Sequence, residues 1–189
     1  MMRIPRACSL LLSLGLCLSQ ALSRPALPAC NVLDFGAKGD NRTEDTAAVQ
    51  TAVNNCSVVL FPQPGKYLIR PVNLGLHDNL TLQIESGATL VAWSDPDTYN
   101  VTHAVYPLLW TDGWRNNTRT PMTNLTITGG GVIDGQGWRW WPYLKTRSRP
   151  ILINIAIAEH LVISNVTLLD SPSFHIQVRK YEGVMREHD

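Results

Sequence analysis

The feature that most constrains the fold is a short strand pattern that ends in a glycine-rich corner. Between Asn124 and Trp141 the chain reads NLTITGGGVIDGQGWRWW. An alternating segment, Leu125–Thr128, is followed by three glycines, a second short strand at Val132–Ile133, and the dipeptide Asp134–Gly135. Three consecutive glycines suit a backbone that turns with little space for side chains. Asp-Gly is a turn dipeptide because both residues tolerate positive φ. We therefore predict one corner of a coil of short strands.

The pattern Asn-Leu-Thr followed by a large aliphatic residue recurs along the chain. It begins at Asn79 and at Asn124, and a variant begins at His160, so the starts lie 45 and 36 residues apart. A further strand is predicted at Asn165–Leu169. Short strands that recur without intervening helices predict a β-solenoid, in which leucine and isoleucine side chains of successive coils stack into one core. A β-sandwich explains the strand pattern equally well.

The N-terminal region predicts the only convincing helix. Val32, Leu33 and Phe35 indicate a short strand, and a helix fits from about Thr43 to Val53. Thr43 is expected to cap this helix, and its apolar residues form one stripe. The segments 99–120 and 138–148 interrupt the strand rhythm, so we predict that they project as loops.

The first residues predict that the protein is secreted. Arg3 and Arg6 precede an apolar run from Cys8 to Leu18, which is followed by the small-residue cleavage pattern at Ala21–Ser23. The run is about half of the roughly 20 residues that span a bilayer. We therefore expect a signal peptide at 1–23 and a secreted protein, extracellular or in the cell wall. A net charge of +1 argues against nucleic acid as a partner.

Secretion has two covalent consequences. Without the signal peptide only Cys30 and Cys56 remain, and an even pair in an oxidising compartment predicts one disulfide, with two free buried thiols as the alternative. Asparagines that lead Asn-x-Ser/Thr triplets are candidate glycosylation sites. The six we retain are Asn41, Asn79, Asn100, Asn116, Asn124 and Asn165.

The order of several motifs resembles the polygalacturonases, family twenty-eight of the glycoside hydrolases. The matching segments are NVLDFGAKGDNRTEDTAAVQTAV, VLFPQPGKYLI, LTLQIESGATLVA, GGGVIDGQGWRWW and RPILINIA with LVISNVTLLDSPSFHIQV, within residues 31–178. The resemblance implies a pectin lyase-like, right-handed parallel β-helix with the predicted helix as its N-terminal cap. It also implies inverting hydrolysis of galacturonan, in which one carboxylic acid protonates the glycosidic oxygen while carboxylates activate water.

The catalytic motifs of that family are absent from the sequence. Asn-Thr-Asp, Asp-Asp and Gly-His-Gly do not occur, and Arg-Ile occurs only in the predicted signal peptide. We therefore expect the N-terminal portion of such a β-helix at 24–178, truncated at its C-terminal end and followed by a divergent charged tail at 179–189. No catalytic residue is assigned, and the chain is expected to be inactive alone. Asp134, Asp170 and Asp95 are expected to serve turns.

Aromatic residues are the remaining binding candidates. Trp138 and Trp141 are expected to stack on sugar rings, although such a cluster more often packs a loop against its own coil. Trp110 and Trp114 are weaker candidates in the other loop. Scattered histidines lack ligand spacing, so neither a metal nor a cofactor is expected. The expected partner is pectin and the expected state is a monomer. The alternative function is a non-catalytic glycan-binding β-helix.

Overall fold

The computed structural model describes residues 27–75, 77–97, 99, 105–111, 122–143, 148–156 and 158–179. These residues contain one α-helix, α1 (Thr46–Asn55), and fourteen β-strands. The strands are β1 (Ala29–Asn31), β2 (Asp40–Glu44), β3 (Val58–Phe61), β4 (Lys66–Ile69), β5 (Val72–Asn73), β6 (Leu80–Ile84), β7 (Thr89–Ala92), β8 (Leu109–Trp110), β9 (Met122–Thr128), β10 (Val132–Asp134), β11 (Ile153–Ala156), β12 (Ala158–Ile163), β13 (Thr167–Leu169) and β14 (Ile176–Arg179).

The strands form three parallel sheets that the chain visits in rotation. The first sheet has the order β1-β3-β6-β9-β12, the second β13-β10-β7-β4-β2, and the third β14-β11-β8-β5. Each full coil therefore contributes one strand to each sheet. All pairings between these strands are parallel. The prediction of a right-handed parallel β-helix is confirmed, and the β-sandwich alternative is wrong.

Residues at equivalent positions in successive coils lie directly above one another. In the first sheet Leu82 pairs with Ile127, and Ile127 pairs with Ile163. The first two of these side chains are almost completely buried. The spacings of 45 and 36 residues that the sequence displays each correspond to one complete coil. Because inward-facing aliphatic residues recur once per coil in each sheet, the three sheets enclose one continuous core.

The glycine-rich corner connects the first sheet to the second, as predicted. Gly129 has φ +122°, which L side chains rarely adopt, and a Cβ at this position would lie 2.3 Å from the carbonyl oxygen of Ile84. The same carbonyl accepts a hydrogen bond from the backbone nitrogen of Gly131 at 2.9 Å. The corner therefore requires glycine because two backbones meet there without space for a side chain.

The turn at Asp134–Gly135 forms for a different reason from the one predicted. The left-handed residue is Gln136, with φ 49°, and not Asp134 or Gly135. Asp134 stabilises the turn by accepting a hydrogen bond from the backbone nitrogen of Gln136 at 2.9 Å and another from its side-chain amide. Gly135 is required by crowding, since a Cβ there would lie 2.7 Å from the carbonyl oxygen of Asp170.

The N-terminal predictions need two corrections. Val32–Phe35 is a 3₁₀ helix and not a strand, and Asn31 caps it by accepting from the backbone nitrogen of Leu33. The α-helix begins at Thr46, three residues after the predicted cap, because Thr43 belongs to β2. Hydrogen bonds from Thr43 and Arg42 hold the Asp40 carboxylate and lower its pKa, so the Thr43 hydroxyl is already engaged.

Helix α1 covers the first coils. Its buried residues Val49, Ala52 and Val53 pack into the core, while Asp45 before it accepts hydrogen bonds from the backbone nitrogens of Lys38 and Gly39 at 2.7 and 3.0 Å. A disulfide joins Cys30 to Cys56, with Cα atoms 5.9 Å apart, and so links β1 to the end of the helix. No helix in the described part of the chain is long and apolar enough to cross a membrane.

Candidate functional site

The coils differ most in the connection from the second sheet to the third. This connection is two residues long after β4 but extends over 93–108 after β7 and over 135–152 after β10. The second long connection contains the predicted candidates Trp138 and Trp141. Because a stack of coils is rigid, the described side chains on these connections are held beside the third sheet. The residues predicted to be signal peptide lie outside the described part of the chain.

The three neighbouring tryptophans point in different directions. Trp140 is 2% exposed and packs edge-on against Tyr99, with ring centroids 5.2 Å apart. Trp138 and Trp141 are 50% and 41% exposed. Trp140 therefore packs its loop against the connection of the preceding coil, and the two rings proposed from the sequence to contact sugar are the accessible ones.

Hydrogen bonds attach this aromatic loop to the segment that leads into β14. The Trp141 indole nitrogen donates to the carbonyl oxygen of Ser171 at 3.3 Å. The backbone nitrogen of Gly137 donates to the carbonyl oxygen of Asp170 at 2.7 Å, and Arg149 donates to the carbonyl oxygen of Pro172 at 2.5 Å. These bonds hold the loop, and the Trp141 ring directly, against the segment that leads into β14.

A cation accompanies the more exposed ring. The Arg139 guanidinium lies 4.9 Å from the centroid of Trp138. A second arginine, Arg70, lies 4.3 Å from the ring centroid of Trp93, but it is also bound to Glu44 at 3.0 Å and to the carbonyl oxygen of Tyr99. Arg70 is therefore engaged in holding three coils together, whereas Arg139 is exposed beside an exposed aromatic face.

The third sheet bears a row of polar and aromatic residues, of which sequence reasoning singled out only Trp110. Asn73, Trp110, Asn154 and Gln177 occupy the same register position on β5, β8, β11 and β14. Trp110 thus lies in a strand, and its prediction as a loop residue is wrong; Trp114 lies outside the described residues. In β5 and β8 the sequence indicates this row only by one aliphatic residue followed by a polar or aromatic one. Two residues are too few to show a strand periodicity.

Hydrogen bonds connect part of this row. The Asn154 side-chain nitrogen and the Arg179 Nε both donate to the Gln177 Oε1, each at 3.2 Å. Asn154 is fully buried, and its Oδ1 has no hydrogen-bond partner among the described residues. The exposed end of the row is therefore a guanidinium, Arg179, next to a side-chain amide, a combination that suits an anionic polar ligand.

Two described carboxylates near this site, those of Asp134 and Asp95, accept hydrogen bonds from the backbone. Asp134 holds the turn at Gln136, Asp95 accepts from the backbone nitrogen of Asp97, and Asp170 has φ 43° at a coil corner. Burial raises the pKa of Tyr99 above its ordinary value, partly opposed by Arg70, so this hydroxyl stays protonated. Within the described residues no three His, Cys, Asp or Glu side chains could share a metal ion.

Four candidate glycosylation asparagines have a left-handed backbone: Asn41 and Asn124 lie in β2 and β9, and Asn79 and Asn165 precede β6 and β13. Asn41, Asn79, Asn124 and Asn165 are exposed and have φ between 49° and 59°. Asn124 donates from its side-chain nitrogen to Asn79 Oδ1 at 2.7 Å, so these two form a ladder across neighbouring coils. Exposure keeps all four accessible to modification. The other two candidates, Asn100 and Asn116, lie outside the described residues.

Comparison with known proteins identifies relatives along most of the chain. The family model for Glycosyl hydrolases family 28 matches residues 76–188, and that for Rhamnogalacturonase A/epimerase, pectate lyase-like, matches residues 29–91. A probable polygalacturonase of Vitis vinifera is 32% identical over 169 residues, covering 78% of this chain and 33% of that protein. An endo-polygalacturonase of Pectobacterium carotovorum is 29% identical, covering 87% of this chain and 45% of that protein.

Solved structures show the same fold. The polygalacturonase from Erwinia carotovora superposes with a TM-score of 0.61 at 21% identity, covering 86% of this chain and 51% of that chain. The chain spans about a third of the length of the first curated relatives that it matches, 33%, 31% and 34% in three cases.

Proposed function

Because this chain belongs to glycosyl hydrolases family 28, we propose that it is the galacturonan-binding part of a secreted, pectin-degrading hydrolase of the polygalacturonase type. The observation that carries the proposal is the exposed pair Trp138 and Trp141 beside the third sheet, with the Arg139 guanidinium next to the first ring. The relatives named above as polygalacturonases support the substrate class.

The chemistry of the ligand matches this surface. Galacturonan presents an apolar C–H face on each sugar ring and one carboxylate per residue. An exposed indole covers an apolar sugar face, and a guanidinium binds a carboxylate through charge-assisted hydrogen bonds. Trp138 and Arg139 are adjacent, so one uronate can use both. Arg179 supplies a further cation at the end of the row on the third sheet.

Hydrolysis by this family is expected to invert the anomeric centre. An inverting enzyme needs a carboxylic acid on one side of the glycosidic bond and a carboxylate-activated water on the other, with the groups about 6.5–9.5 Å apart. The four family motifs that supply these groups do not occur in the 189 residues. We therefore propose that this chain binds galacturonan but does not cleave it when alone.

Export of the chain is part of the same proposal. The apolar run at 8–18 behind Arg3 and Arg6 is proposed to direct secretion, which would bring the protein to pectin in the cell wall. The disulfide between Cys30 and Cys56 and the exposed sequon asparagines support passage through an oxidising, glycosylating compartment.

The test is calorimetric titration of the purified chain with oligogalacturonates. We expect saturable binding that weakens about 3- to 10-fold in Trp138→Ala or Trp141→Ala, the loss of one stacking contact of about 0.5–1.5 kcal/mol. Val162→Ala is the matched control, since Val162 is 47% exposed but lies on the first sheet. Binding should also weaken when the carboxylates are methyl-esterified.

Two results would overturn the proposal. Absence of saturable binding, or binding that neither tryptophan substitution changes, would remove the assigned surface. Release of reducing ends from polygalacturonate by the purified chain would contradict the claim that it does not hydrolyse the polymer alone.

A further inference from the structure

The connections that follow β7 and β10 meet through one buried aromatic pair. Tyr99 and Trp140 are each only 2% exposed, and their rings pack edge-on with an interplanar angle of 88°. Aromatic rings favour this edge-to-face arrangement, and such a pair contributes beyond the area that it buries. Tyr99 therefore lies between the preceding coil and the loop that carries the exposed tryptophans.

Trp140 joins the two turns of that loop. One 3₁₀ helix spans Gly137–Arg139, and the next spans Trp141–Tyr143. The Trp140 backbone nitrogen donates to the carbonyl oxygen of Gly137 at 2.7 Å, and the Trp140 carbonyl oxygen accepts from the backbone nitrogen of Tyr143 at 2.9 Å. Both turns are thus bonded to one residue whose side chain is buried. A displacement of this ring moves both turns, and with them both exposed indoles.

Tyr99 is itself held from the side of the earlier coils. The Arg70 Nη1 donates to the Tyr99 carbonyl oxygen at 3.1 Å, and the Arg70 Nε donates to the Glu44 carboxylate at 3.0 Å. Glu44 is the last residue of β2, and Arg70 follows β4. A line of contacts therefore leads from the first coils through Tyr99 to Trp140.

We propose that Tyr99 is the positioning residue of the aromatic loop. Its ring holds the Trp140 indole, and through this indole it presents Trp138 and Trp141 for stacking on sugar rings. The consequence for binding rests on the proposed function, whereas the positioning itself does not. Rings that are ordered before binding reduce the conformational entropy that association loses.

The Tyr99 ring carries this role, and its hydroxyl does not. Neither the Tyr99 Oη nor the Trp140 Nε1 has a hydrogen-bond partner among the described residues, although both atoms are buried. An unpaired buried hydroxyl costs free energy and fixes no orientation. Phenylalanine at 99 keeps the edge-on contact and removes this hydroxyl. Leucine fills part of the space with an aliphatic group but removes the aromatic contact.

Indole ¹⁵N–¹H spectra of the free chain test the positioning. The Trp141 Nε1, which donates to the Ser171 carbonyl oxygen, reports on the loop without any ligand. In Tyr99→Leu we expect its heteronuclear Overhauser effect to fall, because the loop is no longer held. Tyr99→Phe should leave the effect near the wild-type value. Phe61→Leu is the matched control, since it removes one ring of a second buried edge-on pair, Phe61–Tyr67, and Phe61 lies on the first sheet.

Titration with oligogalacturonates measures the consequence for binding. Tyr99→Leu should raise the dissociation constant about 3- to 10-fold, whereas Tyr99→Phe and Phe61→Leu should change it less than about twofold. Because Tyr99 acts through the loop, Tyr99→Leu combined with Trp138→Ala should weaken binding by less than the product of the two single effects. Circular dichroism verifies the fold of each variant. Trp140→Leu removes the other ring of the pair and should reproduce the results of Tyr99→Leu.

Several results would overturn the proposal. An unchanged Trp141 signal in Tyr99→Leu and in Trp140→Leu would show that the loop is held without this pair. An equal loss in Tyr99→Phe would assign the role to the hydroxyl, and an equal loss in Phe61→Leu would reduce it to general stability. Effects of Tyr99→Leu and Trp138→Ala that multiply would show that the two residues act independently. A wild-type chain that binds no oligogalacturonate contradicts the proposed function alone, because the indole spectra still decide whether Tyr99 holds the loop.

Discussion

Tyr67 illustrates how single residues hold a coil together. It lies on β4 with its ring edge-on to Phe61 at 5.4 Å, and its hydroxyl donates to the carbonyl oxygen of Pro62 at 2.8 Å. Burial, followed by the charges of Asp45 and Glu85, raises its pKa to about 12. The ring joins the first and second sheets, and the hydroxyl is bound only while it is protonated.

This pKa predicts a loss of stability in alkaline solution. The raised value in the folded chain means that the contribution of Tyr67 is complete below pH 10 and is lost as pH rises through about 12. Urea unfolding at a series of pH values measures it. Tyr67→Phe should cost about 1 kcal/mol at pH 7 for the lost hydrogen bond and reduce the alkaline decline. Part of the decline remains because Tyr99 also has a raised pKa. An unchanged alkaline profile in the variant would contradict the assignment.

A second prediction at this scale concerns Gly129. Substitution by alanine should destabilise the fold by about 3 kcal/mol or more, because strained backbone is combined with overlap against a rigid carbonyl. Gly36→Ala is the matched control: Gly36 has φ 97° but nothing lies within 4 Å of the added Cβ. It should cost only about 1–2 kcal/mol. Thermal unfolding of both variants measures the two losses of stability. Equal losses would show that positive φ alone, and not overlap with the Ile84 carbonyl, explains the need for glycine at 129.

At the scale of the element, long alternating strands were predictable and very short ones were not. The Asn-Leu-Thr pattern identified β6 and β9 because several residues alternate between core and solvent. The strands β5 and β8 have two residues each, so no periodicity exists to detect. Missing them hid the third sheet, and with it the row of polar residues beside the proposed binding surface. Thr43 was misassigned because its partner Asp40 was not recognised.

The hydrogen-bonded ladder of Asn79 and Asn124 in the first sheet leads to a prediction at the scale of the element. Asn79, Asn124 and His160 each precede leucines that pair across coils, and all have φ near 58–59°. Asparagine tolerates this conformation better than most residues. His160→Asn should therefore extend the ladder and stabilise the chain by about 0.5–1.5 kcal/mol, one added hydrogen bond.

The control for the ladder is His175→Asn, an exposed histidine that precedes β14 without positive φ. It should leave the unfolding midpoint unchanged. The two variants are compared by urea unfolding at one pH. A loss of stability in His160→Asn would show that the imidazole makes a contribution that the ladder cannot replace.

For the whole molecule, the two ends of the coil stack contrast. At one end α1, the 3₁₀ helix Val32–Phe35 and the disulfide cover the core. At the other end, the described residues Ile176 and Val178 carry the core into solvent. Between the ends, the connection 135–152 to the third sheet bears the exposed tryptophans Trp138 and Trp141. The proposed binding along the side thus follows from one stack of parallel coils.

Methyl nuclear Overhauser effects in solution test this stack most directly. We expect a cross-peak between Leu82 and Ile127 and another between Ile127 and Ile163, since these residues pair in the first sheet. The contacts would connect methyl groups 45 and 36 residues apart, one coil in each case. Cross-peaks only between neighbouring strands of hairpins, with none between these pairs, would contradict the parallel coil and everything derived from it.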